Sequence, residues 1–363
     1  MSSLLERLKK NSTIKETASF DDSKLLNGGD ICTTDIPALN IALSGSLDGG
    51  ITSGLFLAVG KSKSFKTSMC LCIAKAYLDK HKDSVLIFMD SEFGSPKNYF
   101  DSFGIDTARV LHIPIMDIEE FKFEIVNQLE KEIKRTDRVI IVVDSIGNLA
   151  SRKEREDSLA EKSVGDMSRA KQLKSCFRMI TPYLTKLDVP MLCVNHSYES
   201  QGMFAQTIVS GGTGIYYSAN TIFIISRSQE KEGTDVVGYN FNINIEKSRF
   251  VKEKSKIPIN VNYNNGISKW SGLLDMALEA GLVIKPSTGW FSRINTDTGE
   301  LEEKKYRAKD TNNADFWTPI LNSPKFKQWV EDRYKIANGA MLTDDYIDAE
   351  LESIDIDDID MEY

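Results

Sequence analysis

Nowhere in the chain does an apolar run approach the ~18–20 residues that cross a bilayer, so no membrane contact is expected. The opening stretch, MSSLLERLKKNSTIKE, has no long apolar segment and shows no secretory leader. Histidine is scarce, with three in 363 residues, which argues against a histidine-rich metal site. The five cysteines (Cys32, Cys70, Cys72, Cys176, Cys193) are scattered and odd in number. That pattern suits a reducing compartment, and so a cytoplasmic protein, better than a disulfide framework. Cys70 and Cys72 stand two apart in a helical segment and point in different directions, so they read as structural thiols. No internal repeat is visible. Residues 344–363 lack Lys and Arg altogether but hold ten acids, so the net charge of −8 leaves the preceding residues at +2. An acidic tail on a slightly basic body is the pattern of an interaction tail, and a merely solubilising tail would look the same.

What the chain does have is an ordinary globular composition, 41% hydrophobic and 27% charged, and one informative stretch, Leu55–Ser68, LFLAVGKSKSFKTS. An apolar run to Val59 ends in Gly60. Lys61, Ser62, Lys63, Ser64 and Phe65 follow, then Lys66-Thr67, then an apolar-periodic segment through Met69, Leu71, Ile73 and Ala76. This is strand, loop and helix at the spacing of the phosphate loop G-x-x-x-x-G-K-[S/T], with Phe65 where the second glycine belongs. Backbone N–H groups and the helix N-terminus would face an anion. Lys66 would neutralise β/γ-phosphates, and the Thr67 hydroxyl would hold Mg²⁺. Phe65 would leave less room near the phosphates. Taken alone, the stretch also reads as a basic turn between a strand and a helix.

The rest of the chain alternates. Val85–Met89, Val110–Ile113, Val139–Val143 and Met191–Val194 read as strands, with helices over 95–103, 117–134 and 165–187, where Pro182 should kink the helix or mark its last turn. Alternation means a parallel sheet with helices on its faces, an α/β core. Residues 151–164 and 197–214 read as two long mobile loops after the C-terminal ends of strands, where open α/β sheets bind ligands. Thr221–Ile225, Tyr239–Ile245 and Ile257–Tyr263 suggest added antiparallel strands. From Ser271 the character shifts to a small α+β lobe.

Two carboxylates complete a constellation. Asp144 ends an apolar strand downstream of the loop, the Walker B position that supports Mg²⁺, although an aspartate there can also cap a helix. Glu92 follows the neighbouring strand, where a carboxylate can polarise water for attack on a γ-phosphate. With GKSKSFKTS, MDSEFG, VVDSIGNLAS, VNHSYE, SGGTG, EKSR and SGLLDMALEAGLVIKPSTGW in this order over roughly residues 1–340, the chain resembles RecA-family recombinases, and among them those of T-even phages.

The resemblance implies a RecA-type P-loop ATPase core over 36–268 with ATP and Mg²⁺ as cofactors. It adds an N-terminal oligomerisation arm (1–35), a C-terminal lobe (269–343) and the tail (344–363). It implies that Gly60 to Thr67 cradle the triphosphate, Glu92 is the general base, Tyr99 stacks on adenine and His196 senses the γ-phosphate. Lys247 and Arg249 would cross to a neighbouring subunit's ATP. Arg169, Met203, Phe204, Gly211 and Gly212, in or beside the two loops, would bind DNA. The side chains suit this: Met203 and Phe204 could stack on bases irrespective of sequence, or pack as a lid on the core, and a buried structural histidine is the plain alternative for His196. The expected function is ATP-dependent strand exchange by a helical filament on single-stranded DNA, pairing it with homologous duplex. A single-strand-binding protein and a recombination mediator would be its partners. A ring helicase of the same fold and a non-enzymatic ATP-binding regulator stay open. Filament or ring in electron micrographs, and ATPase with and without single-stranded DNA, discriminate among the three.

Overall fold

The computed structural model describes residues 3–23, 25, 29–160, 168–199 and 207–336. Met203, Phe204 and the acidic tail lie outside the described residues. The chain opens with α1 (Leu4–Asn11), capped by a reciprocal Ser3–Glu6 pair and burying none of its residues. Next comes α2 (Pro37–Ser44), with Pro37 at its first turn, where a missing N–H costs nothing. The α/β core follows as β1 (Gly54–Gly60), α3 (Lys66–Lys80), β2 (Val85–Asp90), α4 (Lys97–Ser102), β3 (Val110–Pro114), α5 (Ile118–Asn127) and β4 (Val139–Asp144). It continues with α6 (Arg152–Leu159), α7 (Ser168–Leu187), β5 (Pro190–Glu199), β6 (Thr207–Val209) and α8 (Thr213–Ser218). Then come β7 (Thr221–Glu232), β8 (Asp235–Lys247), β9 (Lys256–Asn262) and β10 (Gly266–Ile267). The chain closes on α9 (Leu273–Glu279), β11 (Val283–Ser287), β12 (Trp290–Ile294), β13 (Leu301–Tyr306), α10 (Ala314–Asn322) and α11 (Pro324–Tyr334). Among the described residues, no helix is long and apolar enough to cross a membrane.

The main sheet runs β10-β9-β8-β7-β1-β5-β4-β2-β3, with β6 folded back on β5. From β3 to β7 every pair is parallel. β7 thus differs from the expected antiparallel addition. The α8 crossover returns the chain parallel to β1, and antiparallel pairing begins only with β8. Strand alternation sends Phe56, Ala58, Phe88 and Val142 into one buried layer with α3, and Leu57, Val59, Met89 and Val143 into another with α5 and α7. The first layer continues into the C-terminal lobe, whose Phe316, Trp317, Phe326 and Val330 share it.

Three local readings change. Residues 152–159 are a helix, not a loop. Ser151 and Glu154 form a reciprocal cap, and Arg155 donates to the buried Asp117 at 2.8 Å. The second stretch is partly strand: Tyr198 pairs with Ile208, and the Ser210 N–H donates to the His196 carbonyl at 3.0 Å. Pro182 does not end α7, which runs on to Leu187.

Candidate nucleotide site at the sheet edge

Parallel strands in register end together. Gly60 of β1 stands level with His196 of β5, and Asp90 of β2 with Asp144 of β4. The loop after β1 needs glycine at its start, because a Cβ on Gly60 would fall 2.5 Å from Ser64 Oγ and 2.7 Å from the Ile225 carbonyl oxygen. Lys63 and Phe65 take φ of 57° and 69°, the left-handed region. A glycine at 65 would do so freely; Phe65 does so with its ring stacked on Phe241 at 5.0 Å, in the apolar core. The ring thus packs into the core, and Phe65 also borders the cavity beside the loop. Lys66 opens α3 almost fully buried, and burial lowers its pKa. Its ammonium donates to the Lys61 carbonyl at 2.7 Å and to Ser64 Oγ at 3.4 Å. From β7, Arg227 donates to the Lys63 carbonyl at 3.1 Å and lies over the Tyr239 ring.

Across the cavity, Thr67 Oγ1 donates to Asp144 Oδ2 at 2.8 Å. Asp144 Oδ1 is buried and has no hydrogen-bond partner, and burial pushes this carboxyl up to about 6. An orphaned carboxylate oxygen beside a threonine hydroxyl fits a hard cation. Among the described residues, no cluster of three or more His, Cys, Asp or Glu could hold an ion. Mg²⁺ held by Thr67 and, directly or through water, by Asp144 would need further oxygens from phosphate. Glu92 Oε1 accepts from Ser145 Oγ at 2.7 Å and lies 3.2 Å from His196 Nε2. Above all the His196 hydrogen bond, then Ser145, holds the Glu92 carboxyl below its usual value against partial burial. The turn at Gly147 lies close against His196, since a Cβ there would come 2.4 Å from the imidazole. Tyr99 closes the side, its hydroxyl 2.6 Å from Ser68 Oγ and its ring edge-on to Phe103. Lys66, Thr67, Glu92, Tyr99, Asp144 and His196 line one cavity of about 170 Å³.

With Lys66, the Thr67–Asp144 pair and Glu92 gathered on one cavity, the family comparison decides the identity. Residues 14–268 match the RecA N-terminal domain. The chain belongs to the RecA family. Residues 270–330 match the C-terminal domain described for the bacteriophage T4 recombination and repair protein. The chain is 47% identical over 358 residues to the recombination and repair protein of Enterobacteria phage T4, covering 98% of this chain and 91% of the relative. It is also 30% identical to the RecA protein of Arthrobacter sp. (strain FB24), covering 75% of this chain and 76% of that one.

In this RecA-family chain the other sequence-selected residues are placed unevenly. Lys247 pairs with Ile222, level with Leu57 rather than with Gly60, and lies outside the chain's own cavity. Its ammonium donates to the Tyr216 carbonyl at 2.9 Å, and burial lowers its pKa. Arg249 is exposed. Arg169 is not offered to a phosphate: its guanidinium donates to the carbonyls of Leu149 (2.6 Å), Gly147 (2.9 Å) and Ile146 (3.0 Å), fixing the turn after β4. Gly211 and Gly212 have φ of 95° and 78°, a conformation few other residues would take before α8. Sequence reasoning missed Ser145, Ser68, Arg227 and Asp90. Ser145 follows Asp144, Ser68 follows Thr67 and Asp90 stands two before Glu92, so each could have been suspected; Arg227 is joined to the site only through space.

Proposed function

We propose that this chain is an ATP-dependent recombinase that polymerises on single-stranded DNA and exchanges strands with a homologous duplex. The observation that carries the reading is the convergence of Lys66, the Thr67–Asp144 pair and Glu92 on one cavity at the C-terminal edge of a parallel sheet. The loop's N–H groups and Lys66 bind the phosphates, and Lys66 must first leave the Lys61 carbonyl. Mg²⁺, held by Thr67 and Asp144 together with phosphate oxygens, would neutralise developing charge. Glu92 takes a proton from the attacking water, and Ser145 and His196 orient its carboxylate. Tyr99 stands at the base-binding side.

The cavity is smaller than the ~300–1,000 Å³ that encloses a small molecule. One subunit thus covers part of a nucleotide, and Lys247 and Arg249 of a neighbour complete it in the filament. The arm of residues 1–35 docks on the next core. Leu4, Leu5 and Leu8 of α1 are exposed, and a groove of about 450 Å³ lined by Phe123, Val126 and Met179 lies along α5 and α7. DNA lies along residues 151–164 and 197–214, with Met203 and Phe204 against bases and Gly211 and Gly212 near phosphates. Arg169 holds the base of the first of these segments rather than DNA itself. The acidic tail offers contacts to a single-strand-binding or mediator protein in the host cytoplasm.

The test is ATP turnover with and without single-stranded DNA. Wild type should be DNA-stimulated. Lys66→Ala should lose turnover, and Glu92→Gln should bind ATP but slow by ~10²–10⁴-fold. DNA-independent turnover, or full activity in both variants, would overturn the assignment.

A further inference from the structure

The base has a support that reaches it from outside the nucleotide cavity. Asp90, the last residue of β2, is 4% exposed. Its Oδ1 accepts the backbone N–H groups of both Glu92 (3.0 Å) and Phe93 (2.8 Å), and its Oδ2 lies 3.2 Å from His112 Nε2 on the edge strand β3. The main chain it braces is an unfavourable one, since Phe93 sits at φ 55° with a full side chain. Two more bonds pin the same turn: the Ser91 N–H donates to the Asp144 carbonyl and the Ile115 N–H to the Asp90 carbonyl, both at 2.9 Å. His112 is half-exposed, stacks on Phe88 and faces an open crevice of about 500 Å³ lined also by Phe93 and Phe100.

We propose that Asp90, braced by His112, is the positioning residue for Glu92. Its carboxylate fixes the main chain at 92–93 and thereby the direction in which the Glu92 side chain leaves it. Ser145 and His196 then fix the far end of that side chain. Asp90 itself lines the outer crevice and not the nucleotide cavity, so it touches neither ATP nor water under attack. A general base works only within hydrogen-bond reach of its proton, and an error near 1 Å in placement costs about 10²-fold in rate. A buried carboxylate holding two N–H groups is a stiff way to keep that error small.

This inference rests on Glu92 being the base. The experiment measures kcat and KM for ATP with saturating single-stranded DNA, and the affinity of a non-hydrolysable ATP analogue, in full-length variants. Asp90→Ala should lower kcat by about 10²-fold while KM and analogue affinity hold. Asp90→Asn, which keeps an acceptor oxygen for both N–H groups, should recover most of kcat. His112→Ala, at a half-exposed position that tolerates truncation, should lower kcat in the same way but less, and it carries the test should Asp90→Ala fail to fold. Asp90→Ala added to Glu92→Gln should cost nothing further, because a residue acting through Glu92 has nothing left to place. A rise in KM with kcat unchanged, full loss in Asp90→Asn, wild-type kinetics in His112→Ala, or multiplied losses in the double variant would overturn the proposal with the Glu92 assignment intact. Wild-type turnover in Glu92→Gln would instead remove the base itself, a failure seen with Asp90 untouched.

Discussion

Replacing Phe65 separates two opposed contributions that meet at one residue. The ring is buried against Phe241, and truncating such a ring costs about 3–5 kcal/mol. The backbone, at φ 69°, costs a residue with a Cβ about 1–2 kcal/mol. Phe65→Ala keeps the second cost and loses the ring, so it should destabilise by about 3–5 kcal/mol. Phe65→Gly loses the same ring but sheds the backbone strain, less ~0.5–1 kcal/mol for glycine's freedom in the unfolded chain. The glycine variant should therefore be less stable than wild type and at least as stable as the alanine variant, although it restores the consensus loop. Urea titration of nucleotide-free protein reads this directly as midpoints at a common slope. Phe65 also borders the nucleotide cavity, so tighter analogue binding in Phe65→Gly would show that the ring takes room from the phosphates. A glycine variant as stable as wild type would show that the ring's burial contributes no more than the backbone strain it is set against. An alanine variant clearly more stable than the glycine one would show that the loop carries no strain.

Burial holds the Asp144 carboxyl at about 6 rather than at the ordinary 3.8, so the native state binds that proton more tightly than the unfolded chain does. Its contribution is fully present below about pH 4 and is lost as pH rises through about 6. Asp144→Asn should abolish this loss in nucleotide-free protein; a wild-type minus variant melting-temperature difference that is flat with pH refutes it. Phe204→Ala should weaken single-strand binding by about 1–3 kcal/mol if the ring stacks on a base; equal affinity with a lower melting temperature would make it a lid on the core instead. Mixing Lys66→Ala subunits with Lys247→Ala/Arg249→Ala subunits should restore part of the ATPase, because some interfaces join an intact loop to an intact cation pair; no rescue at any ratio would remove the trans role.

The parts of the fold written in periodicity were legible. Leu86–Met89 and Val139–Val143 are buried on both faces, so their apolar runs announce parallel central strands, and the polar residues that end them, Asp90 and Asp144, mark the working edge. Helix α6 was not legible from apolar content, because it buries none of its residues. Its signal was the Ser151–Glu154 cap, which charge density obscured. Arg169 misled for a related reason: a cation beside a loop looks free in sequence, whereas three carbonyls separated from it by about twenty residues claim it in space. Asp90 was visible as a strand end two residues before Glu92 but not as a brace, since the partners of its Oδ1 are N–H groups, which every sequence has everywhere.

The Glu92–His196 contact has a consequence beyond orientation. His196 sits on β5, whose continuation pairs with β6, and its own carbonyl accepts the N–H of Ser210, one residue before Gly211. Glu92 and the root of the 197–214 segment are thus joined through a single residue. With Glu92 as the proposed base, a ligand that redraws its hydrogen bonds would shift the free energy of that segment, and a ligand that reshapes the segment would shift that of Glu92. The exchange obeys reciprocity: the factor by which single-stranded DNA alters affinity for nucleotide must equal the factor by which nucleotide alters affinity for the DNA. Both factors can be measured on the same protein, and their equality needs no knowledge of the route between the sites. A His196 variant that uncouples them would shrink the two factors together, to one shared value.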